Sequence, residues 1–329
     1  MRAIRIDSTD GTPRLVVADV PAPVMGPADV RIRVRATSVN RADLMQVRGF
    51  YPPPPGASDI LGLECAGEVI DAGPAARGVT RGARVMALLA GGGYAEEACV
   101  HHGSVLPTPD AFSDAEAGAF PEVFLTASSN LFLPGLGGLA PGGSALVHGG
   151  GGGVGTAAIQ LLREGRHPTY VTVGSAEKGR RCLELGATAA INYREEDFAA
   201  RVKALTDGRG VDVVLDHIGA RYLAQNLDAL AIGGRLVEIG LMGGAQTELN
   251  LGLLLVRRLA VIGSTLRSRP VEEKAVIVGD FQRRFGTALA AGRLRPPIDA
   301  VLPLAEAGQA HARMQASTHF GKIVLTIGG

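Results

Sequence analysis

The sequence predicts an α/β protein in which a doubly wound parallel sheet is inserted into a smaller β domain. The main observation is residues 145–160, where a short apolar run is followed by five consecutive glycines and then by a helix-compatible stretch. Short, nearly continuous apolar runs recur after it, as expected for parallel strands buried on both faces. Before residue 120 the pattern differs, because alternating strands are separated by Pro, Gly and Asp.

Length and composition limit the possible functions. The 329 residues correspond to about two domains, and a net charge of +1 gives no reason to expect a nucleic acid or a membrane surface as partner. The three separate cysteines favour a reduced, cytoplasmic protein over a disulfide framework. The N-terminus has no signal-peptide pattern, and the apolar runs are too short to cross a bilayer. We therefore expect a soluble protein with a small-molecule ligand.

The N-terminal region resembles a small β-barrel or a compact pair of sheets. Residues 1–7 alternate charged and apolar side chains, as a strand does, and so do Val30–Arg35. The run Pro52–Gly56 can be neither helix nor central strand, so we expect a stiff exposed loop. Further strands are predicted at Cys65–Ile70, Arg84–Leu89 and Ala95–Val100.

The central region has the pattern of a Rossmann domain. Gly150, Gly152 and Gly155 give the spacing G-x-G-x-x-G, in which the glycines allow a sharp turn, close approach to a pyrophosphate and tight packing of helix on strand. The helix predicted over residues 153–163 would point its N-terminus at the phosphates. The remaining strands are predicted at Thr169–Val173, Ala189–Tyr193, Val211–Asp216, Gly234–Gly240 and Leu259–Ser264.

After the central region the pattern changes again. We predict helices over Val271–Ala291 and Leu304–Ser317, and a final strand over Gly321–Ile327. A terminal strand needs a sheet partner, and the N-terminal β domain offers one. The predicted domains are therefore residues 1–120 plus 268–329, and residues 121–267, with the active cleft between them.

The end of the second Rossmann strand indicates which dinucleotide binds. NAD sites place an acidic residue there for the ribose 2′-hydroxyl, but this chain has Gly174 and Ser175. Ser175 and Lys178, followed by two arginines, offer the hydroxyl and cationic groups that a 2′-phosphate needs. We therefore predict NADPH as cofactor. The alternative is that these cations form a solvated helix face.

Several blocks resemble a known family. The most specific is Ser38–Gly56, and Leu61–Gly67, Pro121–Ala127, the glycine loop, Ile191–Phe198 and Gly321–Leu325 continue the similarity over essentially the whole chain. These blocks resemble the quinone oxidoreductase, or zeta-crystallin-like, branch of the medium-chain dehydrogenase/reductases, with most similarity to the tumour-suppressor-inducible quinone oxidoreductases. The resemblance implies a GroES-like β domain interrupted by a Rossmann domain.

The same resemblance implies roles for individual residues. Asn40 and Tyr51 would line the nicotinamide and substrate pocket, and Tyr51 would hydrogen-bond the reduced oxygen; alternatively, Tyr51 only packs on the proline loop. The cofactor would be held by Thr126, Gly150, Gly151, Gly152, Gly153, Val154, Gly155, Gly174, Ser175, Lys178, Tyr193, Leu241, Met242, Leu266 and Arg267.

No metal site is expected. Zinc-dependent relatives carry Cys where Asn40 stands and His where Leu63 stands, with Glu64 behind, so both soft ligands are replaced. Without a Lewis acid, oxidation of an alcohol is difficult, whereas an electron-poor quinone needs little beyond a well-placed nicotinamide.

The sequence thus predicts a zinc-free NADPH:quinone reductase acting on a quinone or another electrophilic acceptor. Two alternatives stay open: a reductase of activated carbon–carbon double bonds in an enal, enone or enoyl thioester, and a crystallin-like protein that binds NADPH without catalysis. The resemblance also implies a homodimer, formed by edge strands around Leu241–Leu255.

Overall fold

The computed structural model describes residues 1–9 and 11–328. Asp10 and Gly329, which fall within the predicted first domain, lie outside the described residues. The chain divides into a first unit, residues 1–125 and 266–329, and a second unit, residues 126–265. None of the helices in the described ranges has the length and apolarity that a bilayer crossing requires.

The described chain contains strands and helices in both units. The strands are β1 (Arg2–Asp7), β2 (Arg14–Asp19), β3 (Asp29–Ser38), β4 (Glu64–Ala72), β5 (Arg84–Leu88), β6 (Glu97–His101), β7 (Val105–Pro107), β8 (Ala145–Val147), β9 (Thr169–Val173), β10 (Ala189–Asn192), β11 (Val211–Asp216), β12 (Leu230–Glu238), β13 (Ala260–Gly263), β14 (Ile298–Pro303) and β15 (Lys322–Thr326). The α-helices are α1 (Arg41–Val47), α2 (Asp114–Ala117), α3 (Pro121–Phe132), α4 (Gly153–Glu164), α5 (Ala176–Leu185), α6 (Phe198–Leu205), α7 (Leu223–Ala229), α8 (Leu251–Arg257), α9 (Val271–Ala290) and α10 (Ala307–Ala316).

The second unit is a Rossmann domain. Its six strands are all parallel and lie in the order β10-β9-β8-β11-β12-β13. The strand order reverses between β8 and β11, the switch point beside which such sheets bind ligands at their carboxyl edge. Its core combines apolar residues of the strands with those of α6 and α7. The predicted doubly wound sheet is therefore confirmed, and β9 and β11 have the predicted bounds.

The first unit is built on a seven-stranded sheet. Its main path is β14-β15-β3-β4-β5-β7, β6 pairs with β3, and β1 and β2 form a separate hairpin. All pairs in this sheet are antiparallel except β14 with β15. The C-terminal strand β15 therefore pairs with β3 of the N-terminal region, as predicted.

Some predicted elements have different bounds. The second C-terminal helix begins with a 3-10 turn over residues 304–306, and only residues 307–316 are α-helical. Strand β12 begins at Leu230, before the predicted start at Gly234, and ends at Glu238. The short helix α1 and the strand β14 were not predicted.

Strand β15 requires glycine at the position before it. Gly321 has φ +84°, and a Cβ there would lie 2.1 Å from the carbonyl oxygen of Pro297. Both the left-handed backbone and the close approach exclude a side chain.

We predict that Gly321→Ala lowers the free energy of unfolding by about 2 kcal/mol or more, because the backbone must shift to admit a methyl group. Gly328→Ala is the matched control, since Gly328 has φ +74° but no atom within 4 Å of its Cβ position. This variant should lower the free energy of unfolding by about 1 kcal/mol, because only the left-handed backbone is unfavourable for alanine. Urea denaturation measures both. Equal losses would show that the contact with Pro297 is unimportant.

Candidate active site

In the second unit, the glycine loop joins β8 to α4. Helix α4 begins at Gly153, with Gly152 as its N-cap. A Cβ on Gly150 would lie 2.7 Å from Cβ of Val171, and one on Gly155 only 2.3 Å from the carbonyl oxygen of Gly149. The loop therefore packs too closely for side chains at these positions. Because the first N–H groups of a helix lack partners within it, this cradle fits the pyrophosphate of a dinucleotide.

A buried hydrogen-bond network is centred on His148, which precedes the glycine loop at the end of β8. Nδ1 of His148 lies 2.9 Å from Oγ1 of Thr172, and its Nε2 lies 2.7 Å from Oδ1 of Asn226. Nδ2 of Asn226 donates to Asp216 at 2.9 Å. Burial lowers the pKa of His148, against the raising effect of Asp216 and of the Asn226 hydrogen bond. The ring ties the end of β8 to β9 and α7. Its contacts are structural.

The end of β9 carries the residues predicted to bind the adenosine phosphate. The Ser175 hydroxyl caps α5 by accepting a bond of 3.3 Å from the backbone N–H of Lys178. The Tyr193 hydroxyl lies 2.8 Å from the position of a Cβ on Gly174, and 42% of Tyr193 is exposed. The structure thus brings Gly174, Ser175, Lys178 and Tyr193 together beside the glycine loop.

The remaining predicted cofactor residues differ in exposure and in contacts. Leu241 and Met242, which follow β12, are more than half exposed. The carbonyl oxygen of Thr126 accepts a bond of 2.8 Å from Nδ2 of Asn130. Leu266 is buried in the first unit. The contact of each with a nicotinamide stays a prediction.

The first unit contains a buried ion pair between Glu64 and Lys322. Lys322 Nζ lies 3.0 Å from Oε1 of Glu64, and the two side chains are 2% and 0% exposed. Oε1 also accepts bonds from Ser38 Oγ at 2.5 Å and Asn40 Nδ2 at 2.9 Å. Oε2 accepts the backbone N–H of Glu122 at 2.9 Å. Glu64 therefore joins β4, β3, β15 and the start of α3.

The same ion pair fixes the orientation of Asn40. Lys322 Nζ donates to Asn40 Oδ1 at 2.6 Å, while Nδ2 donates to Glu64 and makes a long contact of 3.5 Å with the carbonyl oxygen of Ser38. A flipped amide would turn its NH₂ group toward an ammonium, so the observed orientation is the favourable one. The two N–H groups of the Asn40 amide therefore face Glu64 and Ser38.

Behind Asn40 lies a second buried carboxyl group. Asp43 accepts backbone N–H bonds from Asn40 at 2.7 Å and Gly62 at 3.1 Å. The Tyr94 hydroxyl lies 3.3 Å from Asp43 Oδ2 and 3.1 Å from Nε2 of His311. Burial raises the pKa of Asp43 to about 6, against the lowering effect of its two backbone bonds. These bonds close the turn into α1, which points to a structural role.

Tyr51 is held by Arg267. The Arg267 guanidinium lies 5.4 Å from the centre of the Tyr51 ring and donates to the carbonyl oxygen of Tyr51 at 3.1 Å. It also donates to the carbonyl oxygen of Ala90 and to Oε1 of Gln46, each at 2.7 Å. Only 3% of Arg267 is exposed. Its side chain therefore fixes the loop that carries Tyr51, a role that was not predicted.

Burial raises the pKa of the Tyr51 hydroxyl, and the nearby Glu122 adds to this effect. Glu122 itself has an unusual environment. Its Oε2 atom is buried and has no hydrogen-bond partner within the described part of the chain. Burial first, and then the charge of Glu64, raise the pKa of Glu122 to about 8. Sequence reasoning missed this residue, since its only signal is an acidic side chain after Pro121.

The polar centre around Glu64 does not fit a zinc ion. Asn40 offers an amide and Leu63 an alkyl group, neither of which is a soft ligand, and the ammonium group of Lys322 already neutralises Glu64. Within residues 1–9 and 11–328, no group of three or more His, Cys, Asp or Glu is arranged to hold a metal.

Comparison with known proteins agrees with this fold. Residues 26–110 match the alcohol dehydrogenase GroES-like domain and residues 153–278 match the zinc-binding dehydrogenase domain. The human synaptic vesicle membrane protein VAT-1 homolog is 32% identical, over 100% of this chain and 87% of that protein. Rat quinone oxidoreductase is 29% identical, over 99% and 98% of the two chains. The chain belongs to the medium-chain dehydrogenase/reductases, an oxidoreductase family, in the quinone oxidoreductase branch.

Other relatives differ in size or bound molecule. A phenolphthiocerol/phthiocerol polyketide synthase of Mycobacterium tuberculosis is 32% identical over 91% of this chain, which spans only 13% of that protein. The Escherichia coli quinone oxidoreductase structure, complexed with NADPH, has a TM-score of 0.83 at 26% identity over 99% of each chain. An ER cyclopropanase, CurF, has a TM-score of 0.83 at 25% identity over 99% of each chain.

We predict that Lys322→Met lowers the free energy of unfolding by about 3–5 kcal/mol, because it leaves the Glu64 carboxylate buried without a counter-charge. The double variant Glu64→Gln with Lys322→Met should recover much of this loss. The control is Arg180→Met, which removes the exposed pair with Glu184 and should cost about 1 kcal/mol or less. Urea denaturation gives all three values, and equal costs for the two single variants would contradict the prediction.

Proposed function

We propose that this chain is an NADPH-dependent reductase of quinones and related electrophilic acceptors, working without a metal. The observation that carries the proposal is the polar centre of the first unit, where Lys322 rather than a metal ion neutralises Glu64. It occurs in a chain whose second unit has the glycine cradle of a dinucleotide site. Without a Lewis acid to polarise an alcohol or its carbonyl product, an already electron-poor acceptor is the favoured substrate.

The proposed division of labour follows the two units. The backbone from Gly151 to Val154 would hold the pyrophosphate, and Ser175, Lys178 and Tyr193 would surround the 2′-phosphate. The bound NADPH supplies hydride. In the first unit, Asn40 would line the nicotinamide and acceptor pocket, and Tyr51 would hydrogen-bond the acceptor oxygen as it becomes negative.

A reductase of activated carbon–carbon double bonds is the second candidate. It is favoured by the similarity to a polyketide synthase and to the ER cyclopropanase. Both reactions need hydride delivery and a hydrogen-bond donor for a developing oxyanion, which the same residues could provide.

A homodimer is proposed on separate grounds. Strand β13 lies at the edge of the Rossmann sheet, so one side of its backbone is unpaired within the described chain. Near it along the sequence, Leu251, Leu255 and Val256 of α8 are each more than two-thirds exposed. An edge strand beside exposed apolar side chains suits two-fold pairing with a second copy.

The test of the reaction is steady-state oxidation of NADPH and NADH with ortho- and para-quinones, enones and crotonyl thioester. We expect quinone-dependent oxidation of NADPH to exceed all other combinations. Activity confined to enones or thioesters would favour the second candidate. Tight NADPH binding without turnover on every acceptor would contradict both reductase functions and indicate a binding role.

We predict that Lys178→Ala raises KM for NADPH about tenfold and leaves KM for NADH nearly unchanged, because a charge-assisted hydrogen bond to the 2′-phosphate is lost. NADH, which lacks that phosphate, is the internal control. Equal changes for the two cofactors would show that Lys178 does not recognise the phosphate.

A further inference from the structure

Reduction of an acceptor requires a proton as well as a hydride. NADPH provides two electrons and one hydrogen nucleus, so a quinone becomes a hydroquinone anion and needs one further proton. Tyr51 is a poor source at neutral pH, because burial raises the pKa of its hydroxyl above the already high ordinary value. A carboxyl group of the first unit that holds a proton near neutral pH would be a better source.

Glu122 is positioned for this role by its contacts. Its backbone N–H is bound to Oε2 of Glu64 at 2.9 Å, which fixes the start of α3 against the polar centre. Its own Oε2 is buried and has no hydrogen-bond partner among the described residues. A buried carboxyl oxygen without a partner is costly to ionise, and it is free to bind a ligand.

The charges around Glu122 keep the proton there. Glu64 accepts four donors, including the Lys322 ammonium, which is the pattern of an ionised carboxylate. A second carboxylate beside it is disfavoured, and Asp43 adds to this effect. Lys322 and Lys274 oppose it, but Lys322 is bound to Glu64, and Lys274 donates to the carbonyl oxygen of Arg267 at 2.7 Å.

Glu122 also lies close enough to Tyr51 and Arg267 to influence both. In its ionised form it raises the pKa of the Tyr51 hydroxyl and partly counters the effect of burial on the pKa of Arg267. The residue with the unpartnered oxygen therefore belongs to the same group of side chains as the proposed acceptor-binding tyrosine.

We propose that Glu122 is the general acid that protonates the reduced acceptor. This inference rests on the proposed reductase function. The acceptor takes hydride and becomes an oxyanion; the O–H bond of Glu122 then breaks as an O–H bond forms on the acceptor oxygen. The carboxylate that remains regains its proton from water, so the cycle consumes one NADPH and one solvent proton.

The decisive experiment compares pH profiles of kcat/KM for the quinone in the wild type, Glu122→Gln and Glu122→Asp. In the wild type, the rate should fall as pH rises through about 8, because only the protonated acid donates. Glu122→Gln should be slower by about 100-fold at neutral pH and should lack this fall, whereas Glu122→Asp should retain it.

The matched control is Glu272→Gln, which also changes a glutamate in the first turn of a helix, but an exposed one. It should leave the profile unchanged. Fluorescence titration with NADPH shows whether each variant is folded. If Glu122→Gln does not fold, the Glu122→Asp profile together with the infrared measurement decides.

A second measurement does not require turnover. The infrared difference spectrum of wild type minus Glu122→Gln should show a protonated carboxyl group at pH 7 that is lost above about pH 8. Subtraction of the variant removes the contribution of Glu238, whose pKa burial also raises to about 8. Without this signal the proposal fails. It also fails if Glu122→Gln retains wild-type rates and the alkaline fall, or if only Tyr51→Phe abolishes that fall. A wild-type enzyme that reduces none of the acceptors would instead overturn the proposed function together with this step.

Discussion

The buried ion pair of Glu64 and Lys322 is the interaction on which the first unit depends. These residues are 258 positions apart in the chain, yet their contact joins β4 to β15. The other hydrogen-bond donors to Glu64 join this pair to β3 and α3. Desolvating two charges is costly, and the pair is favourable only because the polar atoms around it are bound. This demand for complete pairing explains why Ser38 and Asn40 converge on a single carboxylate oxygen.

The pair also sets the properties of its neighbours. Because Lys322 is bound to Glu64, its charge only partly offsets burial and the charge of Glu64, which raise the pKa of Glu122. Arg267 binds the loop of Tyr51, and Lys274 binds the carbonyl oxygen of Arg267 in the segment before α9. In the first unit, the Glu64 carboxylate thus has all its hydrogen bonds within the protein and is structural. Glu122 Oε2 has no such partner among the described residues and can bind a ligand.

The Rossmann unit was predicted well from the sequence because its signals are local. Buried parallel strands are continuous apolar runs, so the first and last residues of β9 and β11 were predicted correctly. Strand β12 begins earlier than predicted because Gly233 and Gly234 look like a turn, whereas the strand runs through them. Strand β14 was missed because Pro297 precedes it and its side chains are only partly buried, so it lacks a clear alternation.

The candidate site was predictable only where its residues lie in local motifs. The glycine loop and Ser175 lie in short motifs that follow the neighbouring strands β8 and β9. Lys322 could be seen only as a residue of a terminal strand, since its partner is remote in sequence. Arg267 was expected beside the nicotinamide, but its contacts with Gln46, Tyr51 and Ala90 had no sequence signal. Contacts of this kind follow from tertiary packing, which no local pattern contains.

The position of β15 has a consequence for how the chain is made. In the sheet order, β15 lies between β14 and β3, although it follows every other strand of that sheet in the sequence. The Rossmann unit, continuous in sequence, has all its strands once residue 265 has left the ribosome. The β domain must wait for β15, and Glu64 stays without its counter-ion until then. The inserted unit can therefore fold first, while the unit that surrounds it in sequence is completed last.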